Sequence, residues 1–281
     1  MNKLPLAKRI QIINLLVEGS SLRAASRIAD VSINTVTRLL VDVGLACMEF
    51  HDENVREEVA KRVQCDEIWS FVYAKEKDKP QDVEGAGDAW TFVGIDADTK
   101  LVISWFVGPR GVPSAIAFID DLDTCTKGKM QLTTDGFRPY LVAVDQVFPT
   151  DDLINYAMLQ KMYGPEGGST PERKYSPAVC TGAKKTIIHG QPDEKFISTS
   201  YVERQNLTMR MHMRRFIRLT NGFSKKLENH MYSIALHFVY YNFCKLHKTL
   251  RTTPAMAAHL MKGFMSLEDL VLLADKHGKK V

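Results

Sequence analysis

Apolar residues recur at helical spacing along the first forty positions. Leu6, Ile10, Ile13, Leu16 and Val17 mark successive turns, with Pro5 near the start and Gly19 just past the end. Ser21 then precedes the run from Leu22 to Ala29, Asp30 and Val31 turn the chain, and Ser32 stands as the N-cap of a helix from Ile33 to Val43 that Gly44 is expected to stop. Two short helices joined by a tight turn, the second capped by Ser, match a helix-turn-helix. On the third helix Ile33, Val36, Leu39, Leu40 and Val43 are predicted to share the buried side. Asn34 and Arg38 point the other way, with Thr35 and Thr37 flanking. Asn and Arg suit adenine and guanine edges in a major groove, so Asn34, Thr35 and Arg38 are candidate DNA contacts. A plain three-helix bundle with a solvated polar face is the alternative.

The period changes near Arg62. Residues 46–61 are charged and read as a linker or connecting helix, and the β-branched and aromatic run from Arg62 to Tyr73 reads as a strand. A polar, Gly-containing loop covers 74–88. Two strands, Ala89 to Ala97 and Leu101 to Gly108, form a hairpin around Ala-Asp-Thr-Lys. A helix from Pro113, a strand from Met130 to Asp135, a helix from about Arg138 to Phe148 and a strand from Ile154 to Tyr163 complete a mixed α/β layer. The Gly-, Pro- and Lys-rich segment 164–196 breaks regular structure, apart from a short strand at Lys185 to His189, and its length marks it as functional or mobile rather than idle. Helices are predicted at about Thr199–Leu219 and Ser224–His247, with a small one at Ser266–Lys276. The organisation expected is a helix-turn-helix domain at 1–45, a linker at 46–61, an α/β domain at 62–250 and a tail at 251–281.

Candidate chemistry gathers on three acids. Asp66 lies inside an apolar strand, where an ionised carboxylate is costly unless paired or metal-bound. Asp135 closes another strand just before Gly136, and Glu203 opens a basic helix. The strand-hairpin-helix-strand order places the first two on neighbouring strands. Carboxylates converging from separate elements repel one another unless cations sit between them. Two divalent metals roughly 3.5–4 Å apart are the usual resolution, and such a pair serves in-line phosphoryl displacement. Glu67 alternates to the other side of its strand, Asp96 and Asp98 sit at a hairpin tip as turn residues, and Asp120, Asp121 and Asp123 fall on a helix.

Charge sharpens the picture. The formal net charge is only +4, but the stretch from Arg204 to Lys226 holds seven basic residues and no acid. A solvated helix usually mixes signs, so this one-sign run points to an anionic partner such as a phosphodiester backbone. Arg204, Arg210, Arg214, Arg215 and Arg218 are the candidate contacts. Asn206, one turn from Glu203, joins them, and Arg210 lies two turns from Glu203 on the same side. The five cysteines are scattered with no C-x-x-C pair, which argues against a disulfide framework or a zinc site. No signal-peptide pattern and no run of roughly 20 apolar residues is present, so a cytoplasmic, nucleoid-associated protein without a membrane partner is expected.

These residues resemble a known family. Asp66 in C-D-E-I-W, Asp135 in T-T-D-G, the block S-T-S-Y-V-E-R-Q-N-L-T-M-R with R-R-F-I-R-L-T-N-G-F-S-K-K, and the ending Tyr241-Asn242 to Pro254 are similar to DDE transposases of the insertion-sequence-one family. The resemblance spans nearly the whole chain and is strongest from Thr199 to Ala258. Family members often carry a cysteine-rich segment before the helix-turn-helix, and this sequence shows no such cluster. The resemblance implies an RNase H-like core, two Mg²⁺ ions (Mn²⁺ substituting) held by Asp66, Asp135 and Glu203, and DNA strand cleavage followed by strand transfer. It also implies recognition of inverted-repeat ends in double-stranded DNA and a homodimer or larger assembly on DNA. A repurposed transposase serving as a DNA-binding regulator, or a nuclease on the same fold, are the alternatives.

Overall fold

The computed structural model describes residues 3–150, 152–164, 180–217 and 220–277. The N-terminal helices are α1 (Leu6–Val17), α2 (Leu22–Ala29) and α3 (Ile33–Asn54). The predicted Ser32 cap forms, its Oγ accepting the Thr35 N–H at 3.1 Å, and Ser21 caps α2 in the same way, accepting the Ala24 N–H at 3.0 Å. Each satisfies one of the orphan donors at a helix start.

Gly44 does not stop α3. The helix runs ten residues beyond it, to Asn54, so most of the expected 46–61 linker is helix. Gly44 is there because the chain of another helix passes over it. A Cβ built at Gly44 would lie 2.5 Å from both Cβ and the carbonyl oxygen of Tyr232, on α7 (Leu227–Val239). α3 therefore packs directly on the α/β body. Ile33, expected on the buried side, is 39% exposed: it occupies the first position of α3, before the helix enters the bundle.

The body is a six-stranded sheet in the order β3-β2-β1-β4-β5-β6. Its strands are β1 (Arg62–Val72), β2 (Gly87–Asp96), β3 (Val102–Gly108), β4 (Met130–Thr134), β5 (Ile154–Tyr163) and β6 (Cys180–His189). β1, β2 and β3 pair antiparallel, β4 and β5 continue from β1 in parallel, and β6 returns antiparallel. With helices on its faces, this is the RNase H-like mixed sheet that the resemblance implied. The Asp96 carboxylate accepts the N–H groups of Asp98 and Thr99 at 3.0 and 3.1 Å, which closes the predicted hairpin turn. β6 extends well before the short strand expected at Lys185, and part of the expected 164–196 loop lies outside the described residues.

Strand alternation sorts β1 between two layers. Val63 and Cys65 join the core shared with Phe92, with Phe118 and Leu122 of α4 (Val112–Cys125) and with Tyr140 of α5 (Pro139–Val147). Gln64, Asp66, Ile68 and Ser70 face the other layer. There Gln64 accepts the Tyr201 N–H at 2.8 Å, Ser70 meets His230 at 3.0 Å, and Ile68 packs with Val202, Met209 and Phe238. Val202 and Met209 belong to α6 (Ser200–His212). Past α7 the side chain of Asn242, in the Tyr-Asn motif, bonds both backbone groups of Val102, at 2.9 and 2.8 Å, and so caps the start of β3. Among the described residues no single helix is long and apolar enough to cross a membrane. The chain ends in α8 (Pro254–Ala257) and α9 (Leu267–His277), and α9 returns to the N-terminus, where Arg9 on α1 pairs with Asp275 at 2.7 Å.

Candidate active site

Parallel pairing brings the first two acids together. Cys65 is in register with Thr134, so the next residue on each chain, Asp66 and Asp135, stand side by side where β4 ends. A cleft of about 850 Å³ opens there, at the carboxyl ends of β4 and β5, the usual position for a ligand on such a sheet. Asp66, Asp135 and Glu203 all line it, with Arg110, Lys161 and Arg210. Asp135 is set by a tight turn in which the Phe137 N–H donates to its Oδ1 at 3.0 Å. Asp66 accepts a 2.9 Å bond from Asn206 Nδ2 on α6.

Glu203 faces the same cleft from α6 but is held differently. It accepts from Thr199 Oγ1 at 2.6 Å and forms an ion pair with Lys161 on β5. The acid nearest to Asp66 and Asp135 is instead Glu67. One carboxylate oxygen from each of Asp66, Glu67 and Asp135 lies within 4.8 Å of the others. Alternation places Glu67 on the opposite face of β1, as the sequence indicates, yet its longer side chain reaches back to the strand edge. That side chain is 1% exposed, its Oε1 pairs with Arg110, and its Oε2 has no hydrogen-bond partner.

Clustered and buried, these carboxyls hold protons more tightly than free ones. Burial, then the charge of Asp135, pushes Asp66 up to about 7, opposed by the bond from Asn206. Burial followed by Asp135 and Asp66 takes Glu67 to about 8, with Arg110 pulling the other way. Burial raises Asp135 as well, against the Phe137 N–H and Arg110. Such a set discharges its repulsion by protonation or by binding cations. Its all-oxygen composition suits a hard divalent ion such as Mg²⁺.

The expected DNA contacts divide. Asn206 is not presented to solvent: it is 3% exposed and spent on Asp66, because its face of α6 turns to the sheet. Arg204 is exposed, and Arg210 lines the cleft. The predicted single helix to Leu219 ends at His212, because Met213 turns extended and packs into the core with Phe216. The chain then doubles back, with Gly222 against the Arg214 backbone.

Arg214 stays exposed, whereas Arg215 is drawn inward. Its Nε donates to Ser224 Oγ at 2.6 Å and its Nη1 to Ser233 Oγ at 2.9 Å, and burial lowers its pKa to about 10. Arg218 lies outside the described residues. On α3, Asn34 and Arg38 are exposed as expected, while the Thr35 hydroxyl is engaged with Ser32 Oγ at 2.8 Å in the cap.

A second cleft, of about 1060 Å³, joins the two regions. Arg23, Ile33, Asn34 and Thr37 line one side, and Arg214, Arg215 and Lys225 the other, with no carboxylate among its lining residues. The N-terminal end of α3 and the basic segment thus form one continuous surface. Glu67, Arg110 and Lys161 are the site residues that sequence reasoning missed. Glu67 had a faint signal as a second acid beside Asp66. Arg110, in the loop after β3, had none.

No protein-family model matches the chain, and no curated protein matches it. Among solved structures, transposases are similar. A piggyBac transposase synaptic complex with hairpin DNA aligns with 98% of this chain and 71% of its own at 12% identity and a TM-score of 0.42. A Mos1 transposase paired-end complex with the left transposon end covers 53% of this chain and 59% of its own, at 12% identity and a TM-score of 0.23. The Mos1 strand transfer complex covers 84% and 76%, also at 12% identity and a TM-score of 0.23.

Proposed function

We propose that this protein is a DDE transposase that cuts and rejoins DNA at the ends of a mobile element. The observation that carries the reading is the meeting of Asp66 and Asp135 from adjacent parallel strands, with Glu203 facing them across one cleft. Divalent metal held by these three residues would supply a Lewis acid and an activated attacking oxygen. Asn206 fixes the orientation of Asp66, the Phe137 N–H fixes Asp135, and Thr199 holds Glu203. Lys161 forms an ion pair with Glu203, and metal binding by Glu203 would compete with that pair. The second cleft supplies the surface for duplex DNA, with α3 reading base edges and Arg214 and Lys225 on flanking phosphates. Because two ends must be joined, the working form is a homodimer or larger assembly.

The direct test is incubation with candidate end duplexes and Mg²⁺, Mn²⁺ or Ca²⁺, followed by strand mapping. Cleavage at one bond at the element end in Mg²⁺ or Mn²⁺, with binding alone in Ca²⁺, is expected. Full activity after exhaustive chelation refutes the metal-dependent reading. A regulator would bind the ends without cutting in any ion.

Two further results are expected. The raised carboxyls retain protons in the folded chain where the unfolded chain has released them, so the folded state binds more protons from the ordinary carboxylate range up to about 7 for Asp66 and about 8 for Glu67. Stability of the metal-free protein therefore falls as pH rises through this window. Thermal melting in chelator should drop between about pH 5 and pH 8, and Mg²⁺ should restore it increasingly toward the alkaline end. A melting temperature that Mg²⁺ leaves unmoved at every pH argues against cation binding at these groups.

Replacing Arg214 and Lys225 together by Ala should weaken binding to end and random duplexes alike. The log–log salt slope should flatten by about 1.8, at about 0.9 per phosphate contact. An unchanged slope places the duplex elsewhere.

A further inference from the structure

We propose that Arg110 is a catalytic residue: its guanidinium, anchored by the buried carboxylate of Glu67, clamps a non-bridging oxygen of the phosphodiester bound at Asp66 and Asp135. The proposal rests on the reading of this cleft as a phosphodiester site. Arg110 lies between β3 and α4 and lines the cleft with Asp66, Asp135 and Glu203. Both its Nε and its Nη2 bond one oxygen of Glu67, at 3.0 and 2.9 Å. Its central carbon lies 4.1 Å from the ring centroid of Phe137 and 4.7 Å from that of Trp90. Both distances are within cation–π range. Three contacts from three elements thus fix a side chain that ordinarily sweeps a wide volume.

Stability alone is a poor reason for this arrangement. Glu67 has a side chain 1% exposed, while Arg110 remains 40% exposed. Burying a carboxylate to pair with a cation at a cleft wall costs desolvation that the pair barely recovers. What it does secure is position. The guanidinium lines the same cleft as Asp135, with its Nη1 not used by Glu67. A planar fork with donors to spare matches phosphate oxygens. Another cation lining the cleft, Lys161, is occupied by Glu203.

In hydrolysis the water oxygen forms a bond to phosphorus and the P–O3′ bond breaks. Its electron pair leaves with the 3′ oxygen, which takes up a proton, and the attacking water gives up one. Charge grows on the non-bridging oxygens during this exchange, and a fixed guanidinium there requires no reorganisation. Glu67 is then a positioning residue acting through Arg110.

The test uses a sequence-independent probe, 4-nitrophenyl thymidine 5′-phosphate, titrated into the full chain in Ca²⁺. Its neutral methylphosphonate analogue is the control. Loss of a charge-assisted bond predicts a roughly 10- to 100-fold weaker affinity for the phosphodiester in R110Q, a smaller loss in R110K, and an intermediate one in E67Q. The methylphosphonate should bind all four proteins alike. Mn²⁺ affinity, read by electron paramagnetic resonance, should be undiminished in R110Q.

If R110Q melts like the wild type and binds the phosphodiester as tightly, the clamp is refuted. A wild type that binds no phosphodiester in Ca²⁺ refutes it equally. If E67Q loses Mn²⁺ and R110Q does not, Glu67 is a metal ligand and its anchoring role falls. Should the wild type bind the probe through Arg110 yet cut no end DNA, the transposase reading fails and the clamp stands. Should it cut ends with R110Q unaffected, the clamp fails and the transposase reading stands.

Discussion

Asp66→Asn is expected to abolish strand cleavage while leaving duplex binding within about twofold. Asp66 is the centre of the site: it adjoins Asp135 across β1 and β4, shares a 4.8 Å oxygen cluster with Asp135 and Glu67, and is held by Asn206. The substitution keeps the shape and removes the charge that a divalent cation needs. Losing a partner behind a metal ligand costs roughly 10- to 100-fold in metal affinity or activity, and losing the ligand itself should cost more. Asn206→Ala supplies the calibration: it should fall within that range, well short of Asp66→Asn. Asp135→Asn and Glu203→Gln should resemble Asp66→Asn. The measurement is single-turnover cleavage of an end duplex beside equilibrium binding in Ca²⁺. Near-native cleavage by Asp66→Asn would remove the basis of the proposed chemistry.

Gly44→Ala is expected to destabilise the protein although it lies inside a helix. Helix propensity by itself predicts a gain of about 1 kcal/mol from replacing an interior Gly with Ala. The tertiary contact reverses the sign. The new methyl would lie 2.5 Å from Cβ and the carbonyl oxygen of Tyr232 and 2.8 Å from its carbonyl carbon. Backbone atoms cannot step aside as a flexible side chain does, so α3 and α7 must separate along their contact. Overpacking of this kind costs roughly 1–3 kcal/mol, and Gly44→Val should cost more. Denaturant unfolding of the two variants checks it. A more stable Gly44→Ala would mean that α3 does not sit on α7 as described.

These two sites mark the division between what was readable from the sequence and what was not. The N-terminal helices, the strands β1 to β5 and the hairpin turn at Asp96 all follow from short-range rules. Side-chain period, Ser caps and turn chemistry act over a few residues, and they leave their pattern in consecutive positions. Gly44 shows the limit. A glycine after an apolar run reads as a helix end, and only the passage of Tyr232 reveals it as a contact point.

The basic stretch is a second case. Its one-sign composition is plain in the chain, but burial of Met213 and Phe216 breaks the helix, and Ser224 and Ser233 draw Arg215 inward while Arg214 stays exposed. Glu67 is the third. Alternation assigns it correctly to the far face of β1, yet reach, not direction, decides where its carboxylate ends. By itself the sequence determined most of the elements, because those depend on neighbours along the chain. The tertiary structure decided which charges are buried, which helix passes over Gly44, and that Arg110 lines the same cleft as Asp135. Each of these depends on residues far apart in the chain whose desolvation and packing exist only once the layers close.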